Sequence, residues 1–155
     1  MRRLALAAVM LIASAACGSP PGPGGAVACT QIGCDSGVTF AVSGVGLDAG
    51  GGTVVAEACF DGRCERARYT QEANGAAEWD NTQLQLFVGP DSVEVMLRLP
   101  EDDYDPDAAY DVSLELRVDG GEPMRLDRRV HLERSQPNGP DCPPVCWQAR
   151  VEHAA

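Results

Sequence analysis

Residues 110–118 read Tyr-Asp-Val-Ser-Leu-Glu-Leu-Arg-Val, and this stretch decides the fold. Tyr110, Val112, Leu114, Leu116 and Val118 alternate with Asp111, Ser113, Glu115 and Arg117. A period of two puts all five apolar side chains on one side of an extended backbone, as in a half-buried strand. Val93, Val95, Leu97 and Leu99 repeat the pattern against Glu94, Met96 and Arg98. Weaker versions occur at Val38/Phe40/Val42, Leu84/Leu86/Val88, Met124/Leu126/Val130/Leu132 and Trp147/Ala149/Val151. Arg128 interrupts the Met124–Leu132 run, which predicts a bulge or an edge position there. Turn residues separate the runs at Gly89-Pro90-Asp91, Asp119-Gly120-Gly121 and Asn138-Gly139-Pro140. No stretch has a helical period, so the expectation is all-β: an antiparallel sandwich of about 7–8 strands.

One hairpin is legible from its own chemistry. In Ala58-Cys59-Phe60-Asp61-Gly62-Arg63-Cys64-Glu65, the Asp61-Gly62 pair suits a two-residue type I′ turn, because both central positions need positive φ. That register sets Cys59 opposite Cys64 and Glu57 opposite Arg66. Val54, Ala56, Ala58, Ala67 and Tyr69 then share the other, apolar face. A local Cys59–Cys64 bridge follows, with a chain-entropy benefit of only ~2 kcal/mol for so short a loop. Its main effect would be to fix register.

The chain has seven cysteines. Cys29, Cys34, Cys142 and Cys146 lie in CTQIGC and CPPVC, one near each end of the domain. They allow two local bridges, or two that join the ends and close a loop worth nearly ~5 kcal/mol; the spacing leaves both open. In an exported chain six such cysteines would form three disulfides.

The remaining cysteine, Cys17, follows MRRLALAAVMLIASAA. Arg2 and Arg3 form a basic n-region, Leu4–Ala16 an apolar core, and Ser14, Ala15 and Ala16 a small-residue approach to the cysteine. The run is too short for a bilayer of ~30 Å, which takes about 20 residues. The segment resembles the lipobox of bacterial lipoproteins, in which the cysteine becomes the lipidated first residue of the mature chain; Ser14 stands where the family usually has leucine. The resemblance implies a signal peptide over 1–16, lipidation at Cys17, and location in the cell envelope outside the cytoplasm. On this reading residues 17–28 would be a lipidated cysteine and Pro/Gly-rich tether, and 29–155 the sandwich domain. The strand rhythm across 36–153 is similar to immunoglobulin-like sandwich domains on small bacterial lipoproteins, without the Cys…Trp…Cys core spacing of true immunoglobulin domains.

Charge excludes one class of partner. Loss of residues 1–16 removes two arginines and leaves ten against 23 acids, a net charge of −13. Scattered arginines in such excess of carboxylate do not build a nucleic-acid footprint. Membrane attachment would therefore rest on the lipid, and any partner would be an envelope protein or glycan.

Chemistry-bearing patterns are few. CPPVC resembles the CxxxC of Sco-type copper chaperones over five residues, but a structural disulfide is the stronger expectation. Asp103, Asp105 and Asp107 match the first three ligand positions of an EF-hand calcium loop. Ala108 then replaces the turn glycine and Leu114 the bidentate glutamate, so a solvated acidic connection is the simpler reading. His131 and His153 read as surface residues, Trp147 as core and Trp79 as a candidate contact residue. Gly50-Gly51-Gly52 precedes a strand, not a helix, and reads as a turn. No catalytic motif appears. The expectation is a non-enzymatic binding or structural module without cofactor, the alternative being a metal-handling protein using calcium at the acidic loop or copper at the C-terminal cysteines.

Overall fold

In the computed structural model the described residues are 29, 32–47, 50–72, 77–101 and 104–154, the side chains of Ala77 and Trp79 excepted. The signal segment 1–16, Cys17, the tether to residue 28 and Asp103 lie outside them.

Ten strands form two five-stranded sheets, and no described residue is helical. The eight long ones are β1 Gly37–Ser43, β2 Gly52–Phe60, β3 Arg63–Gln71, β5 Leu84–Val88, β6 Ser92–Arg98, β7 Tyr110–Val118, β8 Met124–Val130 and β10 Cys146–Ala154. They correspond to the alternating runs and the hairpin of the sequence. Two three-residue strands, β4 Ala77–Trp79 and β9 Glu133–Ser135, raise the expected 7–8 to ten.

Sheet order is β5-β6-β1-β10-β9 in one layer and β4-β3-β2-β7-β8 in the other. All pairings are antiparallel except one, since β1 and β10 run parallel from Gly37↔Gln148 to Ser43↔Ala154. The antiparallel sandwich expected from the sequence is present, with this single parallel pairing as its exception. β1 lies between β6 and β10, whereas the constant-type immunoglobulin arrangement sets the first strand beside the second.

Apolar inner faces enclose the core. Val38, Phe40 and Val42 from β1, with Val93, Val95 and Leu97 from β6, meet Val54, Ala56 and Ala58 from β2 and Val112, Leu114 and Leu116 from β7. Each of these inward side chains is buried, as the period-two reading requires. Trp147 is buried among them, as expected.

The chain passes between the sheets four times, from β1 to β2, β4 to β5, β6 to β7 and β8 to β9. Residues 80–83 lead from β4 to β5 and are held to β3: the Asp80 carboxylate accepts from Arg68 N–H at 2.8 Å, and Asn81 Nδ2 donates to Arg66 O at 2.9 Å. His131 and Leu132 lead from β8 to β9. The sequence pattern placed Leu132 in one strand with Met124 and Leu126; instead β8 stops at Val130, and Leu132 is a buried side chain in the crossing, 2 % exposed. Arg128 marks an edge and not a bulge, because β7 and β8 pair residue for residue from Leu116↔Met124 to Tyr110↔Val130. Arg125, Asp127, Arg128 and Arg129 are exposed along that edge, a charge pattern that discourages pairing with another chain.

Candidate functional site

Sheet topology gathers the distinctive residues at one end of the sandwich. β1 and β10 begin there, β6 ends there, and the β2–β3 turn and the 104–109 loop lie against them. Both long-range disulfides are at this end. Cys29 is bonded to Cys142 and Cys34 to Cys146, so the open pairing question resolves in favour of joining the ends. Neither sulfur of CPPVC is therefore a free thiolate for a soft metal in this oxidised form. Cys142 and Cys146 are 1 % and 2 % exposed.

Polar contacts tighten the same junction. Ser36, just before β1, accepts Leu99 N–H on its carbonyl at 2.9 Å and Trp147 N–H on its hydroxyl at 3.1 Å, tying β6 to β10. Asn138 accepts Ile32 N–H on Oδ1 at 2.9 Å and donates through Nδ2 to Ile32 O at 2.9 Å and to the Pro143 carbonyl. The sequence showed Asn138 only as a turn residue; its reach across the fold has no local signature.

An aromatic cluster forms beside this junction. The rings of Phe60 and Tyr110 stack with centroids 4.9 Å apart, and Tyr104 meets Phe60 edge-on at 5.9 Å and Trp147 at 6.5 Å. Such geometry adds roughly 0.5–1.5 kcal/mol per pair beyond area burial. Phe60, Tyr104, Tyr110, Leu99 and Pro100 wall a cavity of about 770 Å³ whose polar lining is Asp61, Arg63, Glu65, Gln83 and Arg98. A neighbouring cavity of about 560 Å³ shares Gln83, Arg98 and Leu99 and continues past Asp35 to Val145 and Trp147. Arg98 is the hinge of both. Its Nη2 contacts Asp35 Oδ2 at 3.2 Å, and its buried Nε has no hydrogen-bond partner. This cleft has the size of a small-ligand site, with a wall that mixes aromatic and charged side chains. Sequence reasoning passed over Arg98 as an outward residue of β6; only the arrival of the 104–109 loop and Asp35 gives it a role.

The other sequence candidates are placed as follows. Asp105 and Asp107 are exposed, and Asp105 Oδ1 accepts Asp107 N–H at 2.9 Å, a local turn that occupies one carboxylate oxygen. No third ligand from the described residues converges on them. The β2–β3 hairpin has the expected register: Cys59 faces Cys64, Glu57 faces Arg66, and Asp61 and Gly62 have φ of 47° and 80°. Their disulfide lies on the outer face, with Cys64 exposed. His131 is exposed and His153 half-buried; Trp79 pairs with Tyr69 through the β4 backbone. On the outer face of the β1 sheet, Arg150 contacts Glu152 at 3.3 Å and Glu94 at 3.2 Å, and the hydrogen bond to Glu152, then that to Glu94, raises its pKa from the ordinary arginine value. No described helix is long and apolar enough to cross a membrane.

No family model matches this chain, and no curated protein or solved structure is detectably similar to it.

Proposed function

We propose that this chain is an exported lipoprotein of the cell envelope, held to its membrane through Cys17 and the 17–28 tether, whose sandwich is a non-catalytic binding module for an envelope protein or glycan. The observation that carries the reading is the set of three disulfides, which belongs to an oxidising compartment outside the cytoplasm. Two of them join the domain's ends where the tether would enter, so the fold is braced at its point of attachment. The cleft around Arg98 supplies the binding surface in this reading.

The test is metabolic labelling of the full chain with an alkyne fatty acid in a bacterium that processes lipoproteins, followed by fractionation. The expected result is label in the membrane fraction, with Cys17→Ser unlabelled and released to the soluble fraction. Equal fractionation of both forms, without label, contradicts the lipid anchor.

A further inference from the structure

The Cys59–Cys64 bridge differs from the other two disulfides in a way that register alone does not require. Each end-joining bridge has one buried cysteine, Cys142 or Cys146, beside an exposed Cys29 or a half-buried Cys34, whereas neither cysteine of the hairpin bridge is buried: Cys64 is exposed and Cys59 half-buried on the outer face of β2 and β3. The sequence separation is five residues, against 113 and 112 for the end-joining bridges. The hairpin has other constraints beside the bridge: Asp61 and Gly62 adopt the left-handed turn, Val54, Ala56, Ala58 and Ala67 place one face inward, and β7 holds β2 on its other side. A bridge that is accessible and not alone in setting register is one that thiol–disulfide exchange opens without unfolding the sheet.

Opening it creates a ligand set. Glu57 stands two residues from Cys59 on the same outer face, and one ligand atom each from Glu57, Cys59 and Cys64 lie within 4.8 Å of one another. We propose that Cys59, Cys64 and Glu57 form a redox-gated site for a thiophilic d¹⁰ divalent cation of the zinc class, closed while the disulfide is intact and formed on its reduction.

The chemistry balances with a dithiol as reductant. Its first thiolate attacks one sulfur and its second resolves the mixed disulfide, so the reductant leaves as a cyclic disulfide and Cys59 and Cys64 each gain one electron and, as thiols, one proton. The cation then displaces both thiol protons and takes two thiolates and the Glu57 carboxylate, with solvent in the fourth tetrahedral position. Metal–sulfur bonds of ~2.3 Å require the sulfurs to separate to roughly 3.8 Å, a side-chain adjustment between facing strand residues whose Cα atoms are 4.0 Å apart. Soft thiolates beside one carboxylate select zinc and cadmium over calcium and magnesium. This site does not rest on the lipid anchor, and it occupies the outer face of the hairpin whose Phe60, Asp61, Arg63 and Glu65 line the Arg98 cleft.

The experiment uses the full chain carrying Cys17→Ser, so that the seventh cysteine adds no signal. The oxidised protein is treated with limiting dithiothreitol under native conditions, freed of reductant and divided. One portion is alkylated and peptide-mapped; the other is titrated with Cd²⁺ and followed by the ultraviolet thiolate-to-cadmium band, with circular dichroism monitoring the fold. The expected result is alkylation at Cys59 and Cys64 with both other bridges intact, an unchanged strand spectrum, and one Cd²⁺ per chain, displaced by Zn²⁺ and absent from the oxidised protein. In Glu57→Gln the affinity falls at least about tenfold. Equal opening of the three bridges, loss of the strand spectrum, no stoichiometric band, or a Glu57→Gln affinity equal to that of the parent overturns the proposal.

Discussion

Asn138 and Ile32, 106 residues apart, are joined as two strand residues would be: the Asn138 carboxamide accepts the Ile32 N–H and donates to the Ile32 carbonyl, each at 2.9 Å. One side chain thus satisfies both backbone groups of a residue that belongs to no strand. Asn138→Ala removes these bonds together with the one to the Pro143 carbonyl. The expected loss is about 1–2 kcal/mol, because three partly solvated bonds contribute less than their sum. A lower denaturation midpoint with an unchanged denaturant slope checks it.

The two end-joining disulfides are expected to be strongly non-additive. Either bridge alone closes a loop of more than a hundred residues, worth ~5 kcal/mol in the chain-entropy picture. With one in place the other closes a ring on the order of only eleven residues, worth ~3 kcal/mol. Serine replacement of Cys29 and Cys142, or of Cys34 and Cys146, should therefore cost about 3 kcal/mol, and replacement of all four about 7–8 kcal/mol. Denaturant midpoints of the three variants under oxidising conditions decide whether the first bridge is shielded by the second.

Leu132 closes the gap where the chain crosses from β8 to β9. Its burial predicts a loss of about 2–5 kcal/mol for Leu132→Ala, as for other buried leucines. Val145, exposed between the two C-terminal cysteines, is the control: Val145→Ala should change stability by no more than about 0.5 kcal/mol. Paired thermal melts make the comparison.

Gly46 has no room for a side chain. A Cβ built there would lie 2.3 Å from the Gly89 carbonyl oxygen and 2.6 Å from the Pro90 carbonyl carbon. Both belong to the β5–β6 turn, which accepts Leu47 N–H at Gly89 and Gly44 N–H at Asp91. Gly46→Ala must push this turn away and should cost about 1–3 kcal/mol. Gly62→Ala, with open space but a φ of 80°, should lose only about 1–2 kcal/mol, so the two glycines separate contact from conformation in one melting experiment.

What the sequence disclosed followed from locality. Alternation over five or more residues marks a strand by itself, so the eight long strands were readable, and the Asp61-Gly62 turn carried its register with it. Strands as short as β4 and β9 have no room for a period. The parallel pairing of β1 with β10 and the Cys29–Cys142 and Cys34–Cys146 bonds depend on which ends meet in space, and no local pattern encodes that. Leu132 misled because an inward leucine in a crossing has the same spacing as one in a strand. The cleft was invisible for a related reason: Arg98, Asp35 and Tyr104 are unremarkable singly, and their chemistry arises from where the sheets deliver them.

The central claim is an exported, lipid-held domain braced by three bridges, and the most direct measurement is a non-reducing peptide map of the full chain recovered from bacterial membranes. The account expects residues 1–16 to be absent, Cys17 to carry the mass of its lipid, and the linked peptides to pair Cys29 with Cys142, Cys34 with Cys146 and Cys59 with Cys64. Retention of residues 1–16, an unmodified Cys17, or free thiols at the two ends of the domain would contradict it.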